Sequence, residues 1–408
     1  MNGSPTSTTV TDPLVSSGSR PAPSSSGRNA RNPALDGLRA IAVAGVVYRH
    51  LGLPGLYGGG VGVFAFFTLS GFIITFLLCV ELARTDRIHL GSFWARRARR
   101  LLPALGLLIV VGVIMGATQS VSVRHTLHQA VPALFYFSNW HRVWASYHAH
   151  SMYLGPFDHT WSLSIEEQFY VTWPLLFLLL MKLCRRRVLL VAAITVVLAE
   201  ISGGLRALGW DSTNPVRSAN VLYNRTDTEA ELLLLGAAAG MAAWHLMQRP
   251  ELRQRLSRWL LPAGGLLGLL ILAGAFALQP KPDYPNRMHI FWTVGLTVTA
   301  AGVALMCLHV LVNPGSLQAR LLSIPPLPQL GKISYGIYLF HYPLVIYLYP
   351  RFIHHRGVGQ IVIVLATLAI STASWFLLER PIINLGRRRQ ARHSGRRLPA
   401  AVTAAERT

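Results

Sequence analysis

Ten apolar stretches, each near the roughly 20 residues a helix needs to cross a bilayer core, govern what this 408-residue chain can become. They fall near 37–56, 59–80, 101–118, 161–183, 188–207, 229–247, 259–279, 289–312, 331–350 and 358–378. Hydrocarbon offers no partner for backbone N–H and C=O groups, so such stretches must fold as helices that satisfy their own backbone. The expectation is an all-α, polytopic membrane helix bundle of about ten transmembrane helices. Composition agrees, since only 13% of residues are charged where a soluble domain carries about 25%.

Residues 1–34 are rich in Ser, Thr, Pro and Gly and lack the apolar core of a signal peptide. They read as a disordered cytoplasmic tail, 35–383 as one membrane domain, and 384–408 as a basic, disordered cytoplasmic tail. The formal charge of +22 would suggest nucleic acid in a soluble protein. Here the basic residues crowd into the connectors 83–100, 184–187 and 248–258, into Arg320 and into 386–397, and no nucleic-acid-binding motif accompanies them. All of these fall on one side if the helices alternate from a cytoplasmic N-terminus, as the positive-inside rule requires. The lipid bilayer is therefore an expected partner and nucleic acid is not. On the opposite side, 129–140 (QAVPALFYFSNW) is apolar but too short to span, and is expected at the interface or packed on the bundle. Cys79, Cys184 and Cys307 have no metal-ligand spacing and read as small hydrophobes.

Ionisable side chains inside apolar helices cost roughly 2.5–3.5 kcal/mol each on insertion scales, so they face a protein interior or a wet cavity. The first stretch, LDGLRAIAVAGVVYRH (35–50), holds Asp36, Arg39 and His50. Eleven residues separate Arg39 from His50, which places them on one stripe about 16 Å apart along a helix axis. Two readings stand side by side: a functional stripe, or an interfacial arginine snorkelling to lipid phosphates and a histidine satisfied by a carbonyl.

Further along, Arg97 and Arg100 of ARRARRLLP share a helix face where two guanidinium forks can grip a polyanion, although any cytoplasmic helix end carries such arginines. HTWSLSIEEQFYVTWP (159–174) feeds Glu166 and Glu167 into a membrane segment. Consecutive helical residues point about 100° apart, so the pair is not expected to face one cavity equally. YNRTDTEAELLLLG (223–236) brings Arg225, Asp227, Glu229 and Glu231 to a helix mouth, as a cavity lining or, for Asp227, as a cap. GKISYGIYLFHYP (331–343) offers His341 among tyrosines, as a substrate wall or an aromatic belt. The outer histidines His141, His148, His150 and His159 match no zinc spacing, so no metal is expected.

Taken in order, these segments together with FFTLSGFIITFLL and LERP resemble the membrane acyltransferase-3 family, integral-membrane O-acyltransferases of bacterial surface glycans, lipids and some antibiotics. The resemblance covers about 33–383. It implies transfer of an acyl group, acetyl or another short chain, from acyl-CoA as co-substrate to a hydroxyl of a glycan, glycolipid or natural product. It implies no bound cofactor and the stand-alone form without a C-terminal hydrolase-like domain. The family's arginine and histidine pair falls on Arg39 and His50, its paired arginines on Arg97 and Arg100, and its acidic pair on Glu166 and Glu167. Two positions depart from the family pattern: Phe64 follows Val63 where relatives carry an acid nearby, and Glu229 stands where relatives often have arginine.

These residues frame a mechanism in which neutral His50 is general base, Arg39 steadies charge, and Glu166 or Glu167 orients the imidazole. Arg97 and Arg100 hold the donor's phosphates, and Asp36, Arg225, Asp227 and His341 contact substrate. An upright first helix carries His50 away from the cytoplasmic donor, so either the acyl arm threads into the bundle or a cavity brings the acceptor inward. The competing reading is a proton-coupled transporter or flippase using the same intramembrane charges.

Overall fold

The computed structural model describes residues 32–54, 60–118, 120–148, 155–279, 285–352 and 354–395. Among them the regular elements are helices. The chain runs through α1 (Pro33–His50), α2 (Val61–Thr85), α3 (Leu90–Ala117), α4 (Val123–Leu134), α5 (Ser138–Tyr147), α6 (Trp161–Leu183), α7 (Val188–Leu208), α8 (Pro215–Asn224) and α9 (Thr226–Met247). It continues through α10 (Pro250–Arg258), α11 (Leu260–Leu278), α12 (Pro285–Ile290), α13 (Leu296–Val312), α14 (Leu317–Leu322), α15 (Leu327–Lys332), α16 (Ser334–Leu348), α17 (Arg356–Ser374) and α18 (Arg380–Gly395). A 3-10 segment, Gly155–Thr160, leads into α6.

Every expected stretch contains a helix, and among the described residues seven segments are by length and composition apolar enough to cross a bilayer: Val61–Thr85, Leu90–Ala117, Val188–Leu208, Thr226–Met247, Leu260–Leu278, Met288–Val312 and Arg356–Gly386. The shortfall has a physical source. α1 carries Asp36, Arg39 and Arg49, α6 carries Glu166, Glu167 and Lys182, and α16 is only 15 residues long. These helices hold Asp36, Arg39, His50, Glu166, Glu167 and His341 of the residues singled out from the sequence, and much of each is buried against protein. Residues 384–395, expected to belong to a disordered tail, instead continue as α18, whose Arg, Gln and Ala content favours helix. The stretches 1–31 and 396–408 and His150 lie outside the described residues.

Close approach of helices in lipid needs small residues at the contact. α9 supplies Gly236 and Gly240 at that spacing, packed on the backbone of Thr68 and Phe72 in α2, while Gly71 of α2 meets the Leu233 carbonyl. A side chain at any of the three would overlap the facing carbonyl, so α2 and α9 form the tight centre of the bundle. The same device pins α1: Gly37 lies on the Leu322 carbonyl and Gly331 on that of Asp36. Arg206 of α7, fully buried, ion-pairs with Glu231 of α9 and donates to the Thr228 carbonyl at 2.8 Å, and Thr297 of α13 donates to the same carboxylate at 2.5 Å. A buried charge pair of this kind is costly to break from one side, and here it locks three helices behind α2.

Candidate active site

Three helices, α1, α6 and α16, run past two cavities stacked inside the bundle. Arg39, Ser334 and Glu166 line the first, whereas His50, Tyr342 and Trp161 line the second. Val63 and Tyr338 belong to both walls, so the cavities adjoin. Arg39 and His50 sit in different cavities because eleven helical residues separate them by about 16 Å.

The first cavity, of about 730 Å³, gathers Arg39, Arg97, Arg100, Glu166 and Glu167. α3 delivers both of its arginines because it is tied on either side: Trp94 Nε1 donates to the Tyr170 carbonyl at 3.0 Å, and Tyr335 Oη donates to the Leu101 carbonyl at 3.1 Å. The Arg97 guanidinium lies 3.3 Å from the centroid of the Tyr170 ring, a stacking that suits a planar cation and keeps its N–H edge available. Arg39 is 3.7 Å from the buried Asp36 carboxylate. Glu166 accepts hydrogen bonds from the hydroxyls of Ser70 and Tyr170 on one oxygen. Both adjacent acids line this cavity, which wraps around the side of α6. Glu166 does not orient the histidine, since its hydroxyl partners belong to the arginine cavity.

The second cavity, of about 880 Å³, is walled by His50, His159, Trp161, Tyr223, Trp292 and Tyr342. His50 Nδ1 lies 3.0 Å from the Val46 carbonyl and 3.1 Å from Nε2 of His341. His341 Nδ1 in turn lies 3.1 Å from the Ile337 carbonyl and 2.7 Å from that of Tyr338. Carbonyl oxygens only accept, so in the neutral rings each Nδ1 carries the hydrogen. His341 Nε2 is then a lone pair that accepts from His50 Nδ1–H, and the His50 lone pair is at Nε2. His159, 3% exposed, turns Nε2 to the Leu339 carbonyl at 3.1 Å and leaves Nδ1 buried with no partner in the protein. Tyr342 packs its ring 5.1 Å from His50 and 4.9 Å from His159, and its hydroxyl donates to Asp158 at 3.4 Å. Asp158 is ion-paired with Arg142, which α5 holds in place through Arg142 Nε to Asn224 Oδ1 at 2.9 Å and Asn139 Nδ2 to the Asn224 carbonyl at 3.0 Å.

Arg225 and Asp227 line neither cavity. They pair with each other through two hydrogen bonds, of 3.0 and 2.5 Å, with about a third of each side chain exposed, and Asp227 lies in the first turn of α9. Sequence reasoning missed Asp158, Arg142 and Tyr342, and met His159 only as a metal candidate. A signal exists for three of them: Asp158 and His159 precede the turn into α6, and Tyr342 follows His341. Nothing local marks Arg142.

An all-helical membrane bundle with an arginine-lined cavity stacked on a histidine-lined one is thus the class that fold and site define. Residues 32–380 match the profile of an acyltransferase domain, and the chain belongs to the membrane acyltransferase-3 family. It is similar to the peptidoglycan O-acetyltransferase OatA of Listeria monocytogenes, 32% identical over 366 residues that cover 86% of this chain and 55% of that protein. It is also similar to the O-acetyltransferase OatA of Staphylococcus aureus, 32% identical over 364 residues, covering 87% and 57%. The chain therefore spans little more than half the length of these relatives. No solved structure matches it.

Proposed function

We propose that the chain is a membrane O-acetyltransferase that uses acetyl-CoA in the arginine cavity to acetylate a hydroxyl of a cell-wall glycan, of the peptidoglycan type named for its Listeria relative, in the histidine cavity. The observation that carries this reading is the contrast between adjoining cavities: three arginines beside two glutamates in one, hydrogen-bonded imidazoles among aromatic rings in the other. Arg97 and Arg100 take the donor's phosphates as charge-assisted hydrogen-bond donors. The pantetheine arm runs past Val63 and Tyr338, bringing the thioester to His50. Trp161, Tyr223 and Trp292 offer flat apolar faces to a sugar ring.

His50 Nε2 accepts the proton of the acceptor hydroxyl as its oxygen bonds to the thioester carbonyl carbon. The C–S bond then breaks, and the departing thiolate takes the proton back from the imidazolium. During the charged interval His50 Nδ1–H points at Val46 O and His341 Nε2, which hold the imidazolium in place. In this route the acyl arm threads through the bundle to reach the acceptor.

Purified protein in lipid nanodiscs, given isotopically labelled acetyl-CoA and soluble glycan-chain fragments, is expected to yield labelled O-acetyl glycan and an equal amount of free CoA by mass spectrometry. Movement of unmodified glycan across vesicle membranes with no need for acetyl-CoA, and no acetylated product, would overturn the reading in favour of a transporter.

A further inference from the structure

Apart from both of these cavities, a groove lies between α10, α11, α13 and α14. Its two ends differ in chemistry. One wall is made of Leu266, Leu269, Leu317 and Leu321, which are 42–71% exposed. The other end is polar, with Arg253 at the rim and Asn313 fixed by a 2.6 Å hydrogen bond from Ser257. Deeper in, His309 is only 2% exposed, yet its Nδ1 has no partner in the protein, and Gln318 Oε1 is likewise buried and unpaired. Both side chains fold against α11 at Gly265, where even a methyl group would press on them. Buried polar atoms without partners are rare and costly, so this groove is shaped for an occupant that brings both apolar length and polar oxygens.

The surroundings indicate its charge. α10 (PELRQRLSR) buries no residue, and with Arg249 at its start it presents Arg249, Arg253, Arg255 and Arg258 against the single acid Glu251. Trp259, 73% exposed, follows directly. A basic amphipathic helix ending in tryptophan beside a membrane-spanning helix marks the bilayer interface, where anionic headgroups lie.

We propose that this groove is a binding site for an anionic glycerophospholipid of the surrounding leaflet. The phosphate sits at Arg253, glycerol and ester oxygens meet His309 Nδ1 and the Asn313 amide, a headgroup hydroxyl donates to Gln318, and an acyl chain lies along Leu266, Leu269, Leu317 and Leu321. The lipid then adds to the Ser257–Asn313 hydrogen bond in fastening α10 to α11 and α13.

The full chain, reconstituted in nanodiscs of equal phosphatidylglycerol and phosphatidylcholine and then released into mild detergent, can be weighed by native mass spectrometry. Phosphatidylglycerol is expected to stay bound in preference to phosphatidylcholine. Arg253→Gln should lower its retention about fivefold, the worth of one basic residue near an anionic surface, and Leu269→Trp should displace it by filling the groove. Leu365→Trp, at an exposed position of α17, should leave retention unchanged. On the unmodified protein, thermal unfolding in detergent should shift upward with added phosphatidylglycerol and not with phosphatidylcholine. Equal retention of the two lipids, or retention indifferent to both groove variants, overturns the proposal, as does equal thermal stabilisation by the two lipids.

Discussion

The arginine cavity and the histidine cavity share walls from α1, α6 and α16, yet they solve opposite electrostatic problems. In the arginine cavity, charge is left available: Arg97 stacks on Tyr170 with its N–H edge open, and carboxylates line the same space. In the histidine cavity Arg142 and Asp158 neutralise each other, Arg49 is the other cation on the wall, and imidazole rings are held by main-chain carbonyls. The contrast teaches that a buried cation serves as a ligand-holder only when its partners leave its donors uncommitted, whereas a buried base works by having one nitrogen committed and the other open.

If that division is real, damage to one cavity should leave the other's property intact. The largest effect is expected from His50→Ala, which removes the base and should lower kcat about 10²- to 10⁴-fold, read from the rate of CoA release under saturating donor. Next comes Arg100→Gln or Arg97→Gln, each deleting charge-assisted hydrogen bonds worth about 1.5–3 kcal/mol. Either should raise the KM for acetyl-CoA roughly ten- to hundredfold and change kcat far less.

His341→Phe removes the side-chain acceptor for His50 Nδ1–H but leaves the Val46 carbonyl. A fall in kcat of about tenfold is expected, the worth of one orienting contact. His341→Gln, whose amide oxygen can accept, should recover part of that loss, and a purely steric role for His341 would show no such recovery. The smallest effect belongs to Arg225→Ala. This pair is about a third exposed, and exposed ion pairs contribute about 0–1 kcal/mol. Turnover and KM should both stay within about threefold of the unaltered protein. A large change there would mean that the acceptor surface extends beyond the histidine cavity.

Much of this site was legible in the sequence because a polar residue in an apolar helix is conspicuous. Arg39, His50, Glu166, Glu167 and His341 announce themselves that way, Arg97 and Arg100 stand out only as a basic helix end, and all of them line a cavity or join its hydrogen-bond network. Their partition into two cavities was only half legible: the helical rise separates Arg39 from His50, but nothing local says that α16 carries His341 to His50 while Ser334 stays beside Arg39. The hydrogen bonds that fix the imidazoles were hidden for a different reason. His159 meets Leu339, and Asp158 meets Tyr342, across 180 and 184 positions of chain, and periodicity carries no information over that range. The expectation that a glutamate orients His50 was reasonable chemistry, but main-chain carbonyls and a second histidine occupy that place. Arg225 and Asp227 misled because they satisfy each other.

The central claim is that donor binding resides in the arginine cavity and proton transfer in the histidine cavity. Calorimetric titration of acetyl-CoA into the nanodisc-embedded His50→Ala and Arg100→Gln proteins tests it most directly. The account predicts that His50→Ala binds acetyl-CoA as tightly as the unaltered protein while releasing no CoA, and that Arg100→Gln binds it at least about tenfold more weakly. Loss of donor binding in His50→Ala, or full binding in Arg100→Gln, would contradict it.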